Sequence, residues 1–501
     1  MFKFIIIFFK LKMSINNDSA RNQNEKLTIV APGFHTIEPD TRLNRESTQP
    51  NSNEIKIDPK APITIPNIGV PIKSTYRPTI LGTCFIITHV SLGNFAIFSY
   101  AQKTKSFGLV WMIIFCILVA IINYWAIMRS FAASTKIKDM NYFQITEHFL
   151  GKKARRFLNV FIIGYAFLYM MYLVALTFPM TGRIVKILLY NKQYQSYDTF
   201  YKEKWGRGFI KYPFFITIGF CSYVINYFKF IRLKTIGIFR IITIIFCILI
   251  LIIQTPSYYN YYKSNIYNEK DETTYPNWSN LGNAFTTKME FFKGLCILFV
   301  SYTCMSVMFP IFEGFKIQLN PWKNVRISVI LGLLSTTAIT IISIICSYLM
   351  NPYSPEELII FRKNKNSGKD IVMLIINFIL IICAVFTVSR YYLMLKINFK
   401  ILFFSNKEKL LEKLNNLFTF IFCFGSALAS VHFNHFLSYL SYIGGFFSVF
   451  ISYLFPVLLY VKSTGKDIKY WNNLSQIIFA IILCVIGIIG GISTFVDDIR
   501  N

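Results

Sequence analysis

The chain has 501 residues, 54% of them hydrophobic and 17% aromatic, with 52 lysines and arginines against 24 acidic residues and a formal net charge of +28. Apolar runs of roughly twenty residues, long enough to cross a bilayer core, recur along it, which excludes a set of soluble domains and indicates one polytopic membrane bundle. The basic residues lie mostly in loops between these runs and no basic helix or arm stands apart, so the charge reads as basic loops on the cytoplasmic face and no nucleic-acid partner is expected.

At the start, "MFKFIIIFFKLK" has too short an apolar core to span and lacks a small-residue cleavage site. Translation from Met1 and translation from Met13 are both compatible with it. Residues 1–77 are expected as a disordered cytoplasmic tail, Asn/Ser/Glu-rich and then punctuated by Pro62, Pro66 and Pro71, too polar to bury a core. A transporter-sized membrane domain follows over 78–496, and 497–501 form a short C-terminal tail.

Eleven spans are predicted, at about 79–101, 108–131, 157–182, 210–230, 235–254, 289–312, 325–350, 371–395, 415–433, 436–461 and 473–495. Lysines and arginines crowd the loops after spans two and eight, whereas the loop between spans nine and ten has none, which favours an N-terminus inside and a C-terminus outside. The basic loop 183–209 runs against that assignment. Asn277-Trp278-Ser279 is a glycosylation sequon in a loop that the same topology puts outside. All ten cysteines fall in apolar segments, so they are expected to pack among helices and not to form a disulfide framework.

Much chemistry is excluded. No phosphate-cradling G-x-x-x-x-G-K-[ST] stretch is present, which argues against ATP-driven pumping. No aspartate lies within a span, and five scattered histidines do not make a di-iron site. His432 and His435 of "HFNH" stand at a span end and read as interfacial residues. What remains is a transporter, a receptor-like bundle or a membrane enzyme with no visible motif, for which only His89 and Cys304 could supply a reactive group; no enzyme is expected, and no cofactor or metal beyond a coupling proton or sodium ion.

Span one carries "THVSLGN" at mid-depth, where polar side chains are costly unless they face a cavity or another helix. Gly93 permits unwinding or close approach, and Ser91 and Asn94 supply donors and acceptors. Ser and Gly also serve ordinary helix packing. Span six repeats the pattern in "SYTCMS", with Ser301, Tyr302, Thr303 and Ser306 at mid-depth and Pro310 beyond. The two interruptions stand five spans apart and run in opposite directions, as an inverted five-helix repeat would produce, with a site between broken helices. Half-helix N-termini there attract a carboxylate and freed carbonyls an ammonium, so a zwitterionic amino acid suits both.

Three stretches carry a resemblance. "SLGNFAIFSYAQKTKSFGLVW" resembles the first-span pattern of the amino acid/auxin permease family, an eleven-span branch of the amino acid transporter superfamily with the LeuT-like fold. Ser99 here replaces the family's proline, and Asn94 one of its glycines. "NYFQITEHFLGKKARRFLNVFIIGYAFLYMMYLV" is similar to the second-loop helix and third span, and "LSYLSYIGGFFSVFISYLFPVLLYV" to the tenth, with Gly444 and Gly445 early and Pro456 late.

The resemblance implies an all-α protein with a five-plus-five inverted repeat and discontinuous helices one and six, performing secondary active transport of amino acids by alternating access with proton or sodium coupling. Carried over by position, it puts Ser91, Gly93, Asn94, Ser301, Tyr302 and Thr303 around the amino acid, and Asn94, Thr387 and Ser389 around a sodium ion. His89 is either a proton-coupling residue or a packing histidine. Glu313 and Arg390 fall at similar depth near the cytoplasmic end, with Arg240 of span five expected alongside, as an inner gate or as interfacial charges. A neutral or cationic substrate is expected, carried by a monomer in a plasma, vacuolar or other internal membrane. An amino-acid-sensing receptor on the same scaffold and an uncoupled facilitator are the alternatives.

Overall fold

The computed structural model describes residues 78–92, 95–100, 107–137, 141–190, 208–227, 233–266, 288–350, 359–361, 371–403, 408–431, 436–465 and 470–500. The expected tail over 1–77, the sequon and the pair His432/His435 lie outside the described residues. All secondary structure among the described residues is helical. This is what lipid requires, because an Ile-rich segment without water must satisfy its own backbone groups.

In chain order, α1 (Ile80–Leu92) and a 3-10 turn (Ala96–Ser99) form the first span, followed by α2 (Leu109–Ser134), α3 (Tyr142–Tyr190), α4 (Gly208–Tyr227) and α5 (Leu233–Ile266). The sixth span is split into α6 (Lys288–Ser301) and α7 (Met305–Lys316). Then come α8 (Pro321–Met350), α9 (Ile371–Phe403) and α10 (Glu408–Ser430). The tenth span is α11 (Phe436–Tyr442), two π-helical stretches (Ile443–Ser448 and Phe450–Leu454) and α12 (Phe455–Ser463), and α13 (Trp471–Arg500) is the eleventh. Among the described residues, eight stretches are long and apolar enough to cross a membrane by themselves. The halves of span one are short because that helix is broken. Helix α3 is two helices parted by Gly151 at φ 86°, so the second-loop helix runs into span three across a kink.

The packing repeats itself with a period of five spans. Spans two and seven, three and eight, and four and nine pack against each other. Span one lies on span seven as span six lies on span two, span five packs on spans seven and eight as span ten packs on two and three, and span four meets eight as nine meets three. A repeat of five crossings reverses direction, so the two halves are inverted. Span eleven stands outside this scheme, against spans six and ten.

Span six is the centre: 83% of its apolar window is buried, against 33% for α2 and 39% for α13. The outward faces carry apolar side chains such as Ile121, Phe220, Leu249, Ile253 and Leu334, a surface suited to acyl chains. All ten cysteines are reduced, and eight of them are buried.

Close packing of spans six, ten and eleven explains the glycines of "YIGGFF" and "GIIGG". A Cβ on Gly444 would lie 2.0 Å from the Cys296 carbonyl oxygen, and one on Gly445 would lie 2.4 Å from that of Gly487. Only glycine fits there. Both glycines lie within the first π-helical stretch, and in the second the Ile451 carbonyl accepts from the Tyr142 hydroxyl at 2.9 Å.

Candidate functional site

Both predicted interruptions exist. Helix α1 stops at Leu92, and Phe95, fully buried, takes a left-handed conformation at φ 53°, ψ 4°. A bulky residue at positive φ is costly, of order 1–3 kcal/mol, and persists where the surroundings impose it. The chain resumes in the 3-10 turn, with the Phe95 amide bonded to the Leu92 carbonyl and the Phe98 amide to that of Phe95. Span six leaves α-geometry between Ser301 and Met305. The Thr303 amide bonds to the Val300 carbonyl, and Cys304 (φ −124°, ψ 0°) precedes α7. At each break, backbone groups leave the helical ladder inside the bundle.

The two breaks face each other. The Tyr100 and Ser301 hydroxyls share a 2.5 Å hydrogen bond, joining the span following the first break to the residue that opens the second. The Ser91 hydroxyl neighbours the Cys304 thiol. From span seven, the Ser343 hydroxyl donates to the Ile97 carbonyl at 2.7 Å, which fixes the 3-10 turn. The Tyr302 ring turns outward, its hydroxyl bonding Thr337 Oγ1 at 2.8 Å and standing 3.1 Å from Cys116 Sγ. Thr303 donates back to the Phe299 carbonyl at 2.8 Å. From span two, Asn123 Nδ2 donates to the Tyr453 hydroxyl at 2.7 Å, and the Tyr453 ring packs edge-on to Phe299.

Ser91, Ser301, Tyr302 and Thr303 are thus brought together and buried, while Gly93 and Asn94 lie outside the described residues. The hydroxyls of Ser301, Tyr302 and Thr303 are committed to neighbouring helices and to their own backbone.

A second polar centre lies on the other side of the first break. Arg240 of α5 is fully buried, and its Nη2 donates to the His89 carbonyl at 2.8 Å. The same nitrogen is 3.1 Å from both His89 Nδ1 and Nε2. An atom in the ring plane at equal distance from both would overlap Cε1, so the guanidinium sits over the imidazole face, a cation–π contact. Gly237, one turn before Arg240, makes room, since a Cβ there would come within 2.9 Å of His89 Nε2. Arg390 of α9 stands within electrostatic reach of both Arg240 and His89.

Thr387, buried, donates to the Cys383 carbonyl at 2.6 Å, and the Cys383 thiol is in turn close to Arg240; Ser389 is buried on the same helix. Glu313 and Arg390 are not brought together. Glu313 is ion-paired with Lys316 one turn along α7. Residues not singled out from the sequence include Tyr100, Cys116, Asn123, Thr337, Ser343 and Tyr453. Of these, Tyr100 alone had a local signal, following Ser99 where the resembled pattern has Pro-Tyr-Ala.

The family model described as "Transmembrane amino acid transporter protein" matches residues 78–497, most of the chain and all eleven spans. The chain belongs to that family. It is a multi-pass membrane transporter, and not an enzyme. Among solved structures, the transporter is similar to MHP1, a nucleobase-cation-symport-1 family transporter in a closed conformation with bromovinylhydantoin bound (12% identity over 85% of this chain and 92% of that one, TM-score 0.46). It is also similar to the manganese transporter of Eremococcus coleocola in complex with an aromatic bis-isothiourea substituted compound (9% identity, 85% and 90% coverage, TM-score 0.41). No curated protein sequence matches the chain closely enough to count as a relative.

Proposed function

We propose that the protein is a secondary transporter that moves an amino acid across its membrane by alternating access, with the substrate seated between the breaks of spans one and six. The observation that carries this reading is the buried meeting of two interrupted helices, at Leu92–Ala96 and Ser301–Met305, tied by the Tyr100–Ser301 hydrogen bond. Two breaks from inverted repeats offer amides to a carboxylate and carbonyls to an ammonium, and the family membership supports an amino acid as cargo. Ser91, Gly93, Asn94, Ser301 and Thr303 are the substrate-proximal positions in this reading. Tyr302 acts at one remove, by holding span six to spans two and seven.

Coupling to a proton is favoured over coupling to sodium beside the break in span one. The His89 carbonyl, which lies beside the break, already accepts from the Arg240 guanidinium, so it is not open to a sodium ion. A second cation about 4 Å from a fixed one meets roughly 4 kcal/mol of repulsion at an effective dielectric constant near 20. Uptake of a radiolabelled amino acid mixture into liposomes containing the purified protein, with proton and sodium gradients imposed separately, tests both statements. Proton-stimulated uptake is expected; binding without flux overturns the transporter reading in favour of a receptor.

A further inference from the structure

An open groove of about 500 Å³ runs along the bundle surface between the start of span three and the end of span ten. Leu150, Ala154 and Phe157 of α3 line one side, and Leu454, Phe455 and Leu458 of span ten the other. The two walls are antiparallel: Phe157 packs 6.3 Å from Phe455, and Phe161, one turn further along α3, packs 4.5 Å from Phe450. Phe157 is 52% exposed and Val160 51%, so the groove opens onto the apolar surface that suits acyl chains.

One end of this groove is basic. Lys153 is part of the lining, one turn before Phe157 on the same helix face. Lys152 and Arg156 are exposed beside it, while Arg155 is taken by Glu147. Span ten brings another cation to the same end: Lys462, exposed in the last turn of α12, stands in line with Leu454 and Leu458 at intervals of four residues. Because the walls are antiparallel, Phe161–Phe157–Lys153 along one and Phe450–Leu454–Leu458–Lys462 along the other pass from apolar to cationic in the same direction. The basic loops mark that direction as cytoplasmic. A membrane lipid has this polarity, its chain in the hydrocarbon and its headgroup at the interface, whereas a soluble partner would not call for a slot that opens sideways onto acyl chains. Lysines and arginines clustered at that level attract anionic headgroups.

We propose that this groove binds one anionic phospholipid, with an acyl chain against Phe157, Leu454 and Leu458 and the phosphate held by Lys153, flanked by Lys152, Arg156 and Lys462. The site goes beyond the transport reading and does not depend on what is carried. Leu150 adjoins the Gly151 kink and Leu454 ends the second π-helical stretch, so the bound lipid ties the second-loop helix to the irregular part of span ten.

Full-length protein extracted from vesicles of equal parts phosphatidylglycerol and phosphatidylcholine with the same acyl chains, its bound lipid counted by native mass spectrometry, tests this. Each basic residue near an anionic headgroup contributes roughly a fivefold preference, so phosphatidylglycerol should be retained at least about tenfold over phosphatidylcholine. The triple variant Lys152→Gln/Lys153→Gln/Arg156→Gln should bring that ratio close to one. Ala154→Trp, which fills the groove and keeps every charge, should remove the bound lipid of either kind. The single surface change Lys153→Gln, expected to lower the ratio about fivefold, keeps the test open if the other variants do not fold. Lys323→Gln, at an exposed position of α8, which does not pack on α3 or α12, should change nothing. Equal retention of the two lipids, a ratio untouched by the triple variant, or one lowered as far by Lys323→Gln overturns the proposal. So does loss of the bound lipid on adding glycerophosphate, a headgroup without chains, which would assign the cations to a soluble anion.

Discussion

The Arg240 guanidinium donates to the carbonyl of His89 at 2.8 Å, so a fixed positive charge from span five holds the backbone just before the break in span one. Replacing sodium by choline in the assay medium is therefore expected to leave uptake unchanged. The variant Arg240→Ala removes a charge-assisted bond worth about 1.5–3 kcal/mol and opens a cavity under His89. Its uptake should fall at least about tenfold in correctly inserted protein, as for a functional charge inside a membrane. Arg240→Lys, which keeps a charge and a donor but loses the planar contact over the imidazole, should retain an intermediate rate.

The hydroxyl pair Tyr100–Ser301 gives a second test. Because the two groups are buried and 2.5 Å apart, Tyr100→Phe and Ser301→Ala each leave the other without this partner. Each is expected to destabilise the detergent-purified protein by about 1–3 kcal/mol. If the pair is the link between the breaks, the double variant should cost less than the sum, with a coupling of about 0.5–3 kcal/mol in a double-mutant cycle read by thermal unfolding.

The two breaks were legible in the sequence because polar and small residues at mid-depth are expensive in lipid, and "THVSLGN" and "SYTCMS" stand out against Ile-rich flanks. Their neighbours were not. A helix such as α2, apolar on every side, gives no periodicity to tell that Cys116 and Asn123 face inward while Ile117 and Ile121 face out. Arg240, near the start of a span, reads in the sequence as part of an inner gate or as an interfacial charge within reach of snorkelling; only the fold reveals that it is buried against span one. Depth alone suggested Glu313 with Arg390, but depth does not fix the direction around a helix axis. Glu313 finds Lys316 at the i,i+3 spacing that its own helix supplies. The glycines of span ten did mark a special segment, although the π-helical geometry they sit in and their close approach to Cys296 and Gly487 are encoded by no local pattern.

Gly444 permits a third prediction. A methyl group there would meet the Cys296 carbonyl oxygen at 2.0 Å, a backbone atom that cannot swing aside. Gly444→Ala should therefore separate spans six and ten and lower stability by about 1–3 kcal/mol. Gly425, whose added Cβ would meet nothing within 4 Å, is the control; Gly425→Ala is expected to leave the melting temperature unchanged or slightly raised.

The outer fastening of span eleven gives the last. Asp498 accepts from the Ser438 hydroxyl at 2.7 Å and from the Tyr442 hydroxyl at 2.6 Å, and the adjacent Asp497 pairs with Lys293 at the start of span six. One end of α13 thus holds spans six and ten together on the same side of the bundle. Asp498→Asn keeps the shape but replaces two charge-assisted bonds by neutral ones, roughly half as strong, and leaves an amide donor opposite a hydroxyl donor. A loss of about 1–2 kcal/mol in thermal stability is expected from that weakening. Since spans six and ten both contact the breaks or their packing partners, the change should also speed access of a thiol reagent to a cysteine introduced at Ser301. Unaltered labelling with lowered stability would make the fastening purely structural.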